Sequence, residues 1–420
     1  MYDLRAEMVL SSYPCRWYSS LIIIDSEKIA ITILIVVTSS PTTYFNSALM
    51  PYEDTWRFHR RFLYQTFRGD AVQRFLPFQH RKACQFLRQL FNTPTQLDKH
   101  VFEYTSSVVL KSTYDYDPPS QDDELIKIVV KVHEIALSVV RPDVAIGICC
   151  HFPDNPEAPG LVSGDVETTF EYSLQRIEGL GSHTFFHVST QHSLKRNCSI
   201  APSMEAKGTF DRYSLAFLLV MFASPASEKS HSVLMTFFLM IVLNLAVQEK
   251  AQVEIDAVVG RGRLPTMDDR PWLPFIDAIF RETLRYSPAV PSSVPHVAVD
   301  DVYRAILMAN TWYLNLHSFI PERLLNDDGS LKYNDTKHIA FGFGRLIANV
   351  LAVFKILRPL DENGVEIPVE PKFTTRLVVH RRRVDFDPVH RRPLPIQCRI
   401  VPRMPGMDGE KLEELIATSD

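Results

Sequence analysis

Between Leu273 and Pro288, Ile276, Phe280 and Leu284 recur at helical spacing with Ile279 beside them, which predicts a helix with one face in a core. It should stop near Ser287, because Pro288 disfavours helical geometry in the residue before it. The longest helical signal, Ser232 to Val259, contains no Pro or Gly until Gly260 caps it. Its apolar half, Val233 to Val247, includes Asn244, and QEKAQVEIDAVV after it is amphipathic, so a core helix followed by a surface helix is predicted. Between Met50 and Leu90, Trp56, His59, Arg60 and Phe67 fit one helix. From Val101 to Ile148, helical apolar patches alternate with a polar turn beginning at Tyr114. Two β-branched runs near the start, Leu21–Ile24 and Ile29–Val37, read as strands separated by Asp25, Glu27 and Lys28. The segment PAVPSSVPHVAVDDVY after Ser287 suits extended strands. Pro153 to Ser203, rich in Pro, Gly, Ser and His, shows no period.

A chain of 420 residues can bury a large core as one big domain or two ordinary ones. Hydrophobic residues at 46% and charged residues at 22% exclude a disordered chain. A net charge of −4 gives no global basic field, which argues against nucleic acid as a partner. The basic block HRRRVDFDPVHRRP (380–393) reads as a solvated loop. Six cysteines in so long a chain suggest a reducing environment rather than a disulfide scaffold. Neither early apolar run approaches the ~20 residues of a membrane span.

Three groups of side chains could carry chemistry. Glu282 and Arg285, three apart, neighbour each other on one helix, and a lone pair of this kind is ordinarily solvated. Trp56 and Arg60 lie one turn apart, and an indole N–H beside a guanidinium can bind a carboxylate. The same helix also reads as an amphipathic one with a basic solvent side. His183 and His187 could share a metal if helical, but no third ligand has matching spacing, and Cys149-Cys150-His151 lacks the spacing of a zinc site.

Downstream residues change the weight of these readings. ExxR at Glu282–Arg285 is followed by Pro321-Glu322-Arg323 and then by Ala340-Phe341-Gly342-Phe343-Gly344-Arg345. That order closely resembles the C-terminal half of the cytochrome P-450 superfamily of haem-thiolate monooxygenases, nearest to fungal members. The resemblance is fair from about Ser20 to Cys150, weak over 151–227, strong from Leu234 to Arg345, and then broken. It implies a mainly α fold with a small β-sheet, incomplete here, spanning residues 1–420 as one domain with an insertion at 380–393. It implies heme b as cofactor, an apolar small-molecule substrate, O₂, and electrons from an NADPH-cytochrome reductase. The chain itself is expected to be a monomer. By the same resemblance, Trp56, Arg60 and His296 would face the haem propionates, with Phe341 and Arg345 at the proximal face. Glu282, Arg285 and Arg323 would form a buried structural network, and Glu228 with Ser230 would relay protons on the distal side. The family also implies association with the endoplasmic reticulum membrane; without an anchor in the sequence, a cytoplasmic location is the other reading.

Several positions depart from the family pattern. The two glycines of FGFGR predict a tight turn beside a flat ligand, and the resemblance implies a cysteine soon after as the axial iron ligand. Here Leu346-Ile347-Ala348-Asn349-Val350 follows instead, and the next cysteine is Cys398, in the segment resembling the terminal strand. The expected metal ligand is therefore missing, as if a loop had been lost in frame. Lys229 stands where the relay threonine would, and Val297 follows His296 where a cationic residue is common. The expectation is a haem-dependent monooxygenase impaired by the missing cysteine, the alternative being a non-catalytic relic or mis-spliced product with weak or no haem binding.

Overall fold

The computed structural model describes residues 54–68, 71–114, 116–119, 123, 126–127, 212–287, 315, 318–332, 343–373, 378–380, 383–385 and 393–419. The early strands, the segment from Pro153 to Ser203, His183, His187 and His296 lie outside them, as does Phe341.

Helices dominate the described residues. In chain order they are α1 (Asp54–Phe67), α2 (Leu76–Asn92), α3 (Leu97–Tyr114), α4 (Arg212–Leu243), α5 (Leu245–Val258), α6 (Pro274–Tyr286), α7 (Phe343–Val353) and α8 (Gly409–Ala417). Strands β1 (Phe354–Leu357) and β4 (Arg399–Pro402) pair antiparallel, with Phe354 opposite Pro402 and Leu357 opposite Arg399. A second small antiparallel pair joins β2 (Val378–His380) to β3 (Arg383–Asp385), at the start of the basic block.

The core is built around the second half of α4. From Val233 to Val242 every side chain is buried, which is why this stretch lacks a polar face. Helix α3 packs along it, and α6, α5 and β1 also lie against it. Phe238 meets Phe86 of α2 at 6.4 Å between ring centroids. One window of α4, Ala226–Leu243, is long and apolar enough to cross a membrane, yet 78% of it is buried inside the protein, as in a core helix. The structure begins α4 at Arg212, twenty positions before the sequence signal, and carries it through Pro225. A proline removes one helical hydrogen bond without having to end the helix.

Asn244 ends α4 with φ −128° and ψ 67°, its Nδ2 donating to Met240 O at 2.8 Å. The break falls where the pattern changes from apolar to amphipathic. On α5, the buried Gln248 acts as a substitute peptide group for β1: its Nε2 donates to Ile356 O at 3.1 Å and its Oε1 accepts from Ile356 N at 2.8 Å. Gln252 likewise donates to Leu351 O and Phe354 O at 3.1 and 3.0 Å, fixing the junction of α7 and β1. Both amides are satisfied, as buried polar groups must be. Helix α5 closes at Gly260, whose φ of +81° lies in the left-handed region open to glycine.

Helix α6 stops at Ser287, as its proline predicts, and buries Ile276, Ile279, Phe280 and Glu282 together. Its N-terminus is covered by Glu254 of α5, whose carboxylate accepts from Phe275 N at 2.9 Å and Ile276 N at 3.1 Å. Burial raises the Glu254 pKa, partly offset by those two N–H donors. Helix α8 is capped by Asp408, which accepts from Lys411 N at 2.9 Å. Arg88 of α2 holds α8 through a two-pronged pair with Glu413 at 2.6 Å.

Candidate functional site

Glu282 is fully buried, so its charge must be matched by donors. Arg285, one turn later, supplies two bonds, Nε to Oε2 and Nη2 to Oε1, both at 2.8 Å. The 3₁₀ turn Pro321–Leu324 brings Arg323, whose Nε reaches Glu282 Oε1 at 3.1 Å. The backbone N–H of Ile320 donates to the same oxygen at 2.9 Å. The guanidinium groups also reach backbone carbonyls: Arg285 Nη2 on Ser318 at 3.1 Å, Arg323 Nη2 on Ser318 and Asn315 at 3.0 and 3.2 Å, and Arg323 Nε, sharing its one N–H, on Ile320 at 3.2 Å. Glu322, between them, pairs with Lys250 of α5. The solvated reading of ExxR is thereby excluded: this is a buried, satisfied triad.

Trp56 and Arg60 share a face of α1, the guanidinium carbon lying 5.7 Å from the indole centroid. Arg60 is exposed and Trp56 half-buried, so the pair presents donors at a surface. His59 beside them is fully buried, and desolvation lowers its pKa. Arg345 lies in the first turn of α7, where its Nη2 donates to His80 Nδ1 of α2. Gly344 is therefore helical, where the sequence predicted part of a tight turn; Gly342 lies outside the described residues.

On α4, Ser230 is buried, Glu228 half-buried and Lys229 exposed. Neighbouring protein still lowers the Lys229 pKa by desolvation. Side chains two apart leave a helix about 200° from each other, so α4 does not bring Glu228 and Ser230 together. Ser227 instead meets Ser106 of α3, with hydroxyl oxygens 2.8 Å apart.

The sequence profile of the family described as Cytochrome P-450 matches residues 36–347. The chain belongs to the cytochrome P-450 family.

Among relatives, the P-450 monooxygenase ple1 of Rhodocybe pseudopiperita is 29% identical over 421 residues, covering 89% of this chain and 75% of its own length. The P-450 monooxygenase claR of Ampulloclitocybe clavipes is 29% identical over 418 residues, 88% of this chain and 72% of its own. In Aspergillus oryzae, ppsD is 29% identical over 378 residues, 80% and 71%. A zebrafish cytochrome P-450 structure with abiraterone superposes with a TM-score of 0.60 at 16% identity, covering 91% of both chains, which bears out the fold. The fungal relatives agree with the resemblance read from ExxR, PER and FGFGR.

Membership implies a haem iron, a redox-partner reductase and a small-molecule substrate. The donor set can be tested against that haem. The P-450 profile ends two residues beyond Arg345, where Leu346 and Ile347 are 1% and 0% exposed in the helical core. No cysteine occurs between Arg345 and Cys398. Cys398 directly precedes β4, half-buried at the core edge, 53 positions after Arg345, and burial pushes its thiol up to about 12. Cys84, the other described cysteine, is buried in α2 with its Sγ 3.7 Å from His80 Nε2. Among the described residues Trp56 and Arg60 present an indole and a guanidinium at the surface, but no cysteine follows the glycine motif, and these residues do not fit a thiolate-ligated haem.

Sequence reasoning located the charged members of the triad but not their backbone partners at Ser318 and Ile320, which have no side-chain signature. Nor did it find His80 as the partner of Arg345, which lies 265 positions away.

Proposed function

We propose that this chain keeps the scaffold of a haem monooxygenase for an apolar small molecule while thiolate-dependent oxygen activation is impaired. One observation carries the reading: buried helix follows Arg345 at once, with no cysteine before Cys398. A thiolate ligand supplies the electron donation that favours O–O cleavage, and Cys398 stands directly before β4 rather than after the glycine motif.

Within this reading, Trp56, Arg60 and His296 form the propionate side, and Phe341 stands at the proximal face. Glu228 and Ser230 are separate rather than paired distal proton carriers. Electrons would come from an NADPH-cytochrome reductase, to a monomer working at the endoplasmic reticulum surface. A non-catalytic relic is the second reading, favoured by Lys229 at the relay position, where a bulky cation stands in place of a hydroxyl.

Reduced, haemin-supplemented protein exposed to carbon monoxide tests the proposal. The expected result is no thiolate-type difference spectrum, and its appearance after a cysteine-bearing loop is inserted following Arg345. A thiolate spectrum from the unmodified chain overturns the proposal, and Cys398→Ser then shows whether that cysteine is its source.

A further inference from the structure

We propose that Arg345 fastens α7 to α2 in this chain, through the buried ring of His80, at the point where the P-450 profile ends. The inference does not depend on whether oxygen chemistry survives; it concerns what the motif's arginine now holds.

Three observations converge. Helix α7 begins at Phe343, so the direction of the Arg345 side chain is set by helical geometry rather than by a loop. Its guanidinium then meets His80 of α2, which is 9% exposed. An arginine has only donors, so His80 Nδ1 accepts, and the ring proton sits on Nε2. The buried Cys84 Sγ, one turn further along α2, lies 3.8 Å from Nδ1 and 3.7 Å from Nε2, so the sulfur packs against the ring as a whole. On α3, Tyr104 is buried at 3% exposure. Tyr104 in turn packs on Phe86 of α2, with centroids 5.8 Å apart. One arginine thus joins α7 to α2 at the point where α7 enters the core.

The residues on either side of Arg345 explain why this arrangement is stable. Gly344 in a helix is less favourable than alanine, because glycine loses more backbone freedom. Leu346 and Ile347, both fully buried, outweigh that by leaving water. Helix formation from Phe343 onward follows, and it commits the arginine to α2.

A double-mutant cycle on the full chain tests this, using urea unfolding of His80→Leu, Arg345→Met and the pair. Each single change should lower the midpoint. The double variant should fall no further than the worse single, a coupling of about fivefold or more in the unfolding constant. His80→Gln, whose side-chain oxygen can still accept, should keep most of the stability. If Arg345→Met does not fold, Arg345→Lys completes the cycle with the charge kept and the fork removed. Haemin titration of the folded variants should show less than about a twofold loss in affinity. Additive singles overturn the proposal. So does an Arg345 variant with an unmoved midpoint whose haemin affinity falls tenfold or more, because that returns the residue to the cofactor. If the parent binds no haemin, the cycle alone decides. A thiolate spectrum from the unmodified chain would defeat the proposed function and leave this cycle untouched.

Discussion

Glu282 Oε1 accepts from Arg323 Nε at 3.1 Å, joining two points 41 residues apart through a carboxylate that has no contact with solvent. The bond ties α6 to the 3₁₀ turn Pro321–Leu324, and it shares its oxygen with Arg285 and with Ile320 N–H. Glu282→Ala would leave two guanidinium groups facing each other without a counter-charge. The expected loss is about 3–5 kcal/mol, measured by chemical unfolding. A variant within about 1 kcal/mol of the parent would mean that the triad does not hold these elements together.

Asp269 carries the clearest pH dependence. Arg263 donates to both its oxygens at 2.7 Å, and Thr266 adds its backbone N–H at 2.7 Å and its hydroxyl at 2.9 Å. The Arg263 bonds hold the carboxyl well below the usual range, against the opposing effect of burial. A depressed folded pKa means that the unfolded state takes up the proton first in acid. Stability from this group is therefore complete above the unfolded value of about 3.9 and is lost as pH falls from there through the folded value. Asp269→Asn should cost about 1–3 kcal/mol at neutral pH, and the gap to the parent should close in acid. A gap that stays constant between neutral pH and pH ~2 would contradict this assignment.

The sequence reveals what depends on local geometry. The end of α6 at Ser287 follows from Pro288, and the change at Asn244 follows from the switch in apolar pattern. ExxR and PER are legible because charged side chains at fixed spacing leave a trace. The start of α4 at Arg212 is not, since Pro225 and the polar run ASPASEKSHS interrupt the period while the backbone stays helical. The helical state of Gly344 is hidden for a different reason. Its glycines suggest a turn, and only the burial of Leu346 and Ile347 decides for a helix. Contacts such as Arg345 with His80 pair side chains 265 positions apart, which no short period records.

Asn349 gives a prediction of opposite sign. It is fully buried on α7 among Leu346, Val350 and Val353, and neither amide atom has a protein hydrogen-bond partner. An unsatisfied buried amide costs about 1–3 kcal/mol. Asn349→Leu removes that cost at similar volume, so the unfolding midpoint should rise. A fall in the midpoint would show that the amide is bonded after all or that the site is too tight for leucine.

The carboxylate clamp makes the prediction closest to function. Arg60 lies over Trp56, one turn away, and the fork of a guanidinium beside an indole N–H suits a propionate. Arg61 carries the same charge on the same helix and is also exposed, but it leaves α1 about 100° from Arg60. Long-range attraction to an anion should therefore be similar for the two, and only Arg60 should contribute directed bonds. In a haemin titration, Arg60→Leu should weaken binding at least about tenfold more than Arg61→Leu, equivalent to roughly 1.4 kcal/mol. The readout depends on the propionates and not on the iron ligand, so it applies whether or not a thiolate is present. Equal losses would reduce α1 to a basic surface helix. A larger loss for Arg61 would place the carboxylates on the other side of the helix and remove Trp56 from the site.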